Sequence, residues 1–495
     1  MSLYVQVLTI LVMFGISYLG LLAFGPTRTR LLYTSEERKE WDALVRKRLG
    51  SWMTITAIVG TLTSFATVFV FFLGNTRLFG VWIFTTVVTI ASGSVVTNYF
   101  TKRILSRRRI SRLLESPRQT GGVIATLFWR EDRQSMLSAQ LVKWISILNI
   151  LGVIWLEFAL ITDIGSKILR VDSLAARAVF LSVIALIVFY FTLKFGVRGL
   201  IFADIFQTPL IALGTVLLIL GTLLTVQKLS IPVPPLSQML APMLGRSEII
   251  LFVLHVIFLN LFLVVVTEPH WLRAWIFRQR EIQLQVPSLI ATAVIWSALI
   301  IAGFAASLLA GGKVGEEAIV SSLQQIEGAY PLFLSAFWIA GVAALFSTTD
   351  AQVYSFLVVR EFDVRSGEVR ERTMGSLAPL RLALWWTVLF VLAYILVRIL
   401  SVPIEKLIFL IIPSSLNVLP GLVQLVRGRR SHPALLIVSI LAFVMFSIIG
   451  LLQPASNFDW TLAAALVPVF LSIVALFVGS PENDLDLNNE GGSLI

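Results

Sequence analysis

Runs of about 20 apolar residues recur from one end of this 495-residue chain to the other. A helix of 20 residues spans about 30 Å, which is the thickness of the hydrocarbon core of a bilayer. Only 14% of the residues are charged, against about 25% in a soluble domain. The chain is therefore predicted to be an all-α polytopic membrane protein. The strands of an outer-membrane barrel, at about 10 residues, are too short to explain these runs.

The apolar runs predict about 13 transmembrane helices. They cover residues 3–24, 52–74, 78–101, 138–163, 175–195, 199–226, 248–271, 284–310, 331–359, 380–400, 404–426, 433–452 and 458–479. The first run lacks the basic start and the small-residue cleavage site of a signal peptide, so we expect it to be retained. The loop 102–137 is expected to include an amphipathic surface helix. The proline-rich segment 229–245 is expected to be irregular or short-helical.

Basic residues are distributed unequally between the two sides of the predicted membrane region. Of the 39 Lys and Arg residues, 29 fall in loops that share one side and 9 in loops of the other. The positive-inside rule places the N-terminus outside and the C-terminus in the cytoplasm, in a plasma membrane or bacterial inner membrane. The cluster "KRILSRRRISR" (102–112) is then a topology and lipid-surface signal. The bilayer is the expected partner, nucleic acid is not, and the sequence identifies no protein partner.

The composition argues against several kinds of chemistry. There is no cysteine and there are three histidines, so disulfide, thiol, zinc and iron–sulfur sites are not expected. No span carries a Ser/His/Asp set, and we predict neither an enzyme nor a cofactor. Ionisable side chains within spans are the first functional candidates. They are Glu157, Asp204, His255, Glu268 and Asp350.

The stretch "AALFSTTDAQ" (343–352) places four polar residues in a row inside an apolar span. Hydroxyl and carbonyl oxygens suit a hard monovalent cation such as Na⁺, and residues three and four apart share one helix face. The hydroxyls of Ser347 and Thr348 could instead bond to carbonyls one turn earlier, as Ser and Thr in membrane helices do. The residues alone leave both interpretations open.

Three stretches together resemble the sodium:solute symporter family. "KFGVRGLIFADIFQ" (194–207) is similar to the family's Asp- and Gln-containing signature, with Phe-Ala in place of Trp-Thr before the Asp. "AALFSTTDAQVYSFLVVREF" (343–362) resembles its second polar stretch. "TEPHWLRAW" (267–275) resembles a motif of the proline and pantothenate branches, with Glu in place of Gln and the Arg one position early.

This resemblance implies the leucine-transporter-type fold, in which two inverted repeats of five helices each begin with an interrupted helix. The implied division of the chain follows. It consists of an accessory helix and loop (1–50), a first repeat (51–226), an external loop (227–247), a second repeat (248–427), two accessory helices (428–480) and a disordered cytoplasmic tail (481–495).

The resemblance also implies a Na⁺ site shared by two helices. Its ligands would be the carbonyl of Ala344 with the hydroxyls of Ser347 and Thr348, and backbone carbonyls of Thr61 and Ser64. A helix break at "TLTS" (61–64) is consistent with this, because hydroxyls can satisfy freed backbone groups. No proline forces the break.

The remaining candidates lie at the expected solute pocket or its gates. Asp204 is interpreted as a gate or as a group near the ion, and Asp350 as tuning the ion's field; a structural ion pair is the alternative for each. His255 is either a pocket residue or a hydrogen-bonded core histidine, and Glu268 either lines the pocket or belongs to a kink. Pro413 predicts a bend. The full set is Thr67, Asp204, His255, Glu268, Asp350 and Pro413.

The function implied is Na⁺-coupled symport of a small organic solute by alternating access. The predicted pocket stretch "ATVFVFF" (66–72) lacks the Gln, Asn and Asp that bind sugar hydroxyls, so an amino acid or carboxylate is favoured over a sugar. Two alternatives stay open: a proton-coupled or uncoupled transporter of the same fold, and a transporter-like membrane sensor.

Overall fold

A computed structural model describes residue 15 and residues 50–106, 123–171, 173–277, 279–369, 378–402, 404–454 and 457–479. Within these ranges the side chains of residues 53, 67, 195–202, 275–277 and 279–282 are not described. Nine helices of this described part are long and apolar enough to cross a membrane. Apart from residue 15, the predicted span 3–24 lies outside the described residues, as does the predicted tail 481–495.

Helices account for nearly all of the first half of the described chain. They are α1 (Gly50–Leu62), a π-helical segment (Phe65–Val70), α2 (Phe71–Phe79), a 3-10 turn (Gly80–Phe84), α3 (Thr85–Leu105), α4 (Ile124–Phe128), α5 (Arg133–Ile168), α6 (Leu174–Lys228) and α7 (Leu236–Leu240). The short α7 lies in otherwise irregular chain, as the prolines of 229–245 predict.

The second half begins with α8 and contains one small hairpin. Its elements are α8 (Arg246–Phe262), α9 (Glu268–Phe277), α10 (Gln279–Leu309), α11 (Gly315–Ala329), a 3-10 turn (Pro331–Phe333), α12 (Leu334–Glu361), strands β1 (Phe362–Asp363) and β2 (Glu368–Val369), α13 (Ala378–Ile399), α14 (Ile404–Ile411), a 3-10 segment (Pro413–Val418), α15 (Leu419–Val426), α16 (Pro433–Leu452), α17 (Asp459–Ala464) and α18 (Leu466–Ala475). The strands are antiparallel, with Phe362 opposite Val369.

The backbone of α6 is helical through the loop predicted between residues 195 and 199, so that loop prediction is wrong. A straight helix of 55 residues would be about 80 Å long. Yet Arg177 near its start interacts electrostatically with Glu316, in the first turn of α11. At its other end Lys228 Nζ donates to Ala329 O, the last residue of α11, at 2.6 Å. Because α11 has only 15 residues, α6 must bend sharply, and its two apolar halves run back along each other.

Among the described residues, three interruptions of helices lie within the two predicted repeats. The first lies between α1 and the π-helical segment, at residues 63–64, and the second between α8 and α9, at residues 263–267. These are the first helices of the two predicted repeats, as expected. The third interruption begins at Pro413, whose missing N–H and fixed φ turn the chain into a 3-10 segment. The α-helix is therefore interrupted at the position where a bend was predicted, and the bend itself stays a prediction.

Loops that were predicted to share a side of the membrane do lie together. Before α5, the Trp129 indole N–H donates to the carbonyl of Val364, after α12, at 2.8 Å. At the opposite end, Arg77 Nη1 at the end of α2 donates to the carbonyl of Gln238 in α7 at 2.7 Å. These two pairs of loops therefore lie together as predicted, whereas which side faces the cytoplasm stays a prediction.

The core surrounds α5 and α12. In their most apolar windows 83% and 78% of the residues are buried, against 22% in α13 and α16. The first pair is therefore central and the second pair is peripheral, with apolar side chains available for lipid. The polar stretch of α12 lies in the middle of the molecule.

Candidate functional site

The end of α1 lies directly against α12 and α6. Helix α1 stops at Leu62, and the chain closes a tight turn in which Thr63 N donates to Gly60 O at 3.1 Å. A Cβ atom added to Gly60 would lie 2.1 Å from Ser347 Oγ and 2.9 Å from Asp204 Oδ1. Only glycine therefore permits this approach, and it brings the broken end of α1 to the polar stretch of α12.

The hydroxyls of Ser347 and Thr348 point away from their own helix. Thr348 Oγ1 lies 3.5 Å from the carbonyl oxygen of Thr61, and the Ser347 hydroxyl donates to Asp204 Oδ1. Thr349, by contrast, donates to the carbonyl of Leu345 one turn earlier, at 2.6 Å. The back-bonding alternative therefore applies to Thr349, while Ser347 and Thr348 face other helices.

The predicted Na⁺ ligands are partly brought together. Thr61 and Thr348 are adjacent, and Ala344 is fully buried on the same face of α12, one turn before Thr348. The carbonyl of Ser64 accepts the N–H of Phe69 at 3.0 Å, within the π-helical segment. Ser64 itself lies in the break between α1 and that segment.

The oxygen atoms at this place fit a hard monovalent cation. A cation of this size lies about 2.4 Å from its oxygen ligands, so two ligands at a right angle are about 3.4 Å apart. Thr61 O and Thr348 Oγ1 are separated by 3.5 Å. Because the Ser347 hydroxyl donates its hydrogen bond to Asp204, the lone pairs of its oxygen can face a cation. The nearby carboxylate adds negative charge in a buried environment.

An arginine enters the same site. Arg273 from α9 is 9% exposed, and its Nη1 donates to Thr61 Oγ1 at 3.0 Å. It also interacts electrostatically with Asp204. The sequence analysis noted this arginine only as part of a motif, so its role at the site was missed. The sequence signal that could have identified Arg273 as a site residue was its position in the second half of an interrupted helix.

Glu157 is a second group that the sequence analysis placed in no site. It is fully buried in α5, and its Oε2 accepts the N–H groups of Phe65 at 3.0 Å and Ala66 at 3.1 Å. The hydroxyl of Ser64 also bonds to this carboxylate. Glu157 therefore satisfies the backbone groups freed by the break, a task for which the hydroxyls of "TLTS" were expected.

Two other carboxylates, those of Asp350 and Glu268, accept hydrogen bonds from residues outside the predicted Na⁺ site. Asp350 Oδ1 accepts the hydroxyl of Thr192 in α6 at 2.5 Å, and it is close enough to Asp204 to repel it electrostatically. Glu268 Oε2 accepts the N–H of Ile124 at 2.9 Å and ties α9 to α4. Asp350 thus lies near the ion-site residues, whereas Glu268 joins two elements.

The last candidates are spread through the molecule. His255 Nδ1 lies 3.3 Å from the carbonyl of Leu462 and its ring packs on Phe409, which places it in the contact with α17, in the role of a core histidine. Pro413 marks the break after α14. The side chain of Thr67 lies outside the described residues, as does that of Arg198, a possible partner of Asp204.

Known structures match this chain over most of its length. A Na⁺-coupled sialic acid symporter in a substrate-bound outward-open state is 14% identical, and the match covers 96% of this chain and 98% of that chain, with a TM-score of 0.60. Mhp1, a nucleobase-cation-symport-1 family transporter in a closed conformation with bromovinylhydantoin bound, is 13% identical over 94% and 98% of the two chains, with a TM-score of 0.46. MhsT in complex with L-phenylalanine is 15% identical over 87% and 98%, with a TM-score of 0.41.

The likeness to the sialic acid symporter and the interrupted helices indicate the same fold. The chain has the leucine-transporter-type fold. No protein-family model and no curated protein sequence matches it. In the predicted division of the chain α1 belongs to the first repeat and α12 to the second, so the contact of Thr61 with Thr348 would join the two repeats. Membership of the sodium:solute symporter family stays a prediction.

Proposed function

We propose that this protein is a secondary active transporter that couples the entry of Na⁺ to that of a small organic solute. The observation that carries the proposal is the orientation of two neighbouring hydroxyls. The hydroxyls of Ser347 and Thr348 do not bond within their own helix. They point toward the interrupted end of α1 and the buried carboxylate of Asp204. The resemblance of the motifs to sodium:solute symporters supports the same function, and the fold is compatible with it.

In the proposed mechanism, Na⁺ holds the two repeats together at this contact. The ion would bind the carbonyls of Thr61 and Ala344 and the hydroxyls of Ser347 and Thr348, with the carbonyl of Ser64 as a further candidate. Loss of the ion to a cytoplasm poor in Na⁺ would release α1 from α12 and open the inner side. One charge that moves through 100 mV contributes about 2.3 kcal/mol, or roughly 50-fold in solute accumulation.

The orientation and the division into repeats are part of the proposal. We infer an external N-terminus and a cytoplasmic C-terminus from the distribution of Lys and Arg, in a plasma or bacterial inner membrane. Repeats at 51–226 and 248–427 each begin with an interrupted helix. The two helices after residue 428 would be accessory.

Sodium dependence can be tested without knowledge of the solute. A ligand that binds only the native state raises the unfolding temperature of the purified chain by mass action. NaCl should raise it relative to KCl or choline chloride in the wild type and in Thr349→Ala. Ser347→Ala and Thr348→Ala should need about tenfold more Na⁺ or more for the same shift. Equal shifts in all four proteins would contradict the proposal.

A second candidate is supported by Arg273. Its guanidinium reaches Thr61 and interacts with Asp204, so it could supply the positive charge of the site and make transport independent of Na⁺. In that case wild type would not respond to Na⁺, and Arg273→Gln would acquire a response. A Na⁺ response already present in wild type would decide against this candidate.

A further inference from the structure

The carboxylate of Glu157 occupies the start of the second half of the first interrupted helix. Its Oε2 accepts the backbone N–H groups of Phe65 and Ala66, at 3.0 and 3.1 Å. From Phe65 the π-helical segment continues directly into α2, so the helical segment runs without interruption to Phe79. The freed N–H groups therefore belong to a segment of several turns.

Such a half-helix start carries the positive end of the helix dipole. In transporters built from discontinuous helices, this end faces anionic groups of the substrate. Here the protein supplies the anion itself, because Glu157 takes up both N–H groups. A carboxylate on the solute would find both N–H groups already taken by Glu157.

The other oxygen of Glu157 has no matching donor. Oε1 is buried and has no hydrogen-bond partner among the described residues, and the same is true of the hydroxyl of Thr63, within the break. A buried carboxylate oxygen without a donor is unfavourable. The unsatisfied carboxylate oxygen therefore points to a ligand that donates a hydrogen bond, and the Thr63 hydroxyl can donate to such a ligand or accept from it.

The surroundings of this carboxylate are apolar. Phe65, whose N–H binds Glu157, stacks on Phe69 with ring centroids 5.8 Å apart and meets the edge of Phe337 at 6.0 Å. Helix α12 approaches closely here, because a Cβ atom on Gly341 would lie 2.8 Å from the Phe65 ring. A ligand at this place would have a donor-bearing head and an apolar body.

We propose that Glu157 Oε1 binds the ammonium or amide N–H group of the transported solute. The solute class is then apolar molecules that bear such a group, including amino acids through their ammonium group, and simple carboxylates are excluded. This inference rests on the proposed transport function and narrows the solute class expected from the sequence, in which carboxylates were included.

Three probes with one shared apolar tail test the head-group preference: phenethylamine, phenylacetamide and phenylacetate. Each is titrated into the purified full-length protein at constant NaCl, and the unfolding temperature is measured. The amine and the amide should raise it, and phenylacetate should not. In Glu157→Gln the amine should need about tenfold more ligand or more for the same shift, because a charge-assisted hydrogen bond is lost.

Glu248→Gln is the matched control. Glu248 also accepts two backbone N–H groups, those of Phe458 at 3.1 Å and Gly245 at 3.3 Å, but it lies at the start of α8. Its variant should respond to the amine as wild type does. If Glu157→Gln does not fold, the order in which the three probes raise the unfolding temperature of wild type tests the proposed head-group preference.

Two kinds of result overturn the inference. A shift by phenylacetate equal to that by the amine means that a protonated Glu157 donates to the ligand, or that the group is not involved. The inference is also overturned if wild type, Glu157→Gln and Glu248→Gln respond equally to the amine, or if the three probes shift the unfolding temperature of wild type equally. The Na⁺ titration without probe reports separately on coupling, so a failure of either claim is recognised independently of the other.

Discussion

The hydroxyl of Ser347 in α12 donates a hydrogen bond to the buried carboxylate of Asp204 in α6. Replacement of Asp204 by Asn keeps an acceptor for this hydroxyl and removes the negative charge. The apparent affinity for Na⁺, read from the unfolding temperature over a NaCl titration, should fall by about tenfold or more, since charge at a buried site is weakly screened. An unchanged titration would show that Asp204 does not contribute to ion binding.

Gly60 is expected to tolerate no side chain. A Cβ atom there would overlap Ser347 Oγ at 2.1 Å, so Gly60→Ala should destabilise the protein by about 1–3 kcal/mol and weaken the Na⁺ response. Gly328→Ala is the control, because nothing lies within 4 Å of its added Cβ and alanine at this position in the last turn of α11 should not destabilise the protein. Thermal unfolding compares the two variants, and equal effects would contradict the close contact of α1 with α12.

Much of the fold follows from sequence patterns that are local. The span 433–452 was predicted with the bounds that α16 has, and the break after Thr61 was predicted from "TLTS". The orientation of Glu157 toward Phe65 could not be predicted, because the two residues are 92 positions apart. Arg273 and Thr61 are 212 positions apart. Such contacts depend on how helices pack, which a pattern of apolar residues does not specify.

An ion pair near the C-terminal end of α5 should contribute strongly to stability. Asp163 is fully buried, pairs with Arg398 of α13, and accepts the hydroxyl of Tyr394 at 2.6 Å. Asp163→Asn would remove the nearest counter-charge of the guanidinium, leave only the weaker interaction with Glu405, and should destabilise the protein by about 3 kcal/mol. The double variant with Arg398→Leu should regain part of this loss in thermal unfolding. No recovery would mean that the pair does not act as a unit.

Glu316 should make stability depend on pH. It lies in α11, outside the membrane spans, where burial and the neighbouring Glu405 raise the pKa of its carboxyl against the opposing effect of Lys167. A raised folded-state pKa means that the native state binds the proton more tightly. The stabilisation is complete below the unfolded pKa of about 4.3 and is lost as pH rises through the folded value.

The variant Glu316→Gln removes this titration and should be more stable than wild type at neutral pH, with the difference vanishing in acid. Glu317→Gln removes the same charge from an exposed neighbour and controls for net charge. Unfolding temperatures of the three proteins across the acid range check the prediction. If the unfolding temperature of wild type instead increases relative to that of Glu316→Gln as the pH rises, the prediction is contradicted.

Direct binding of radioactive sodium to the purified chain, measured by scintillation proximity, tests the central claim most closely. Wild type and Thr349→Ala should bind Na⁺ saturably, because the Thr349 hydroxyl is bonded within its own helix. The double variant Ser347→Ala/Thr348→Ala should lose this binding while it remains folded. Absence of saturable binding in wild type, or unchanged binding in the double variant, would contradict a sodium site between α1 and α12.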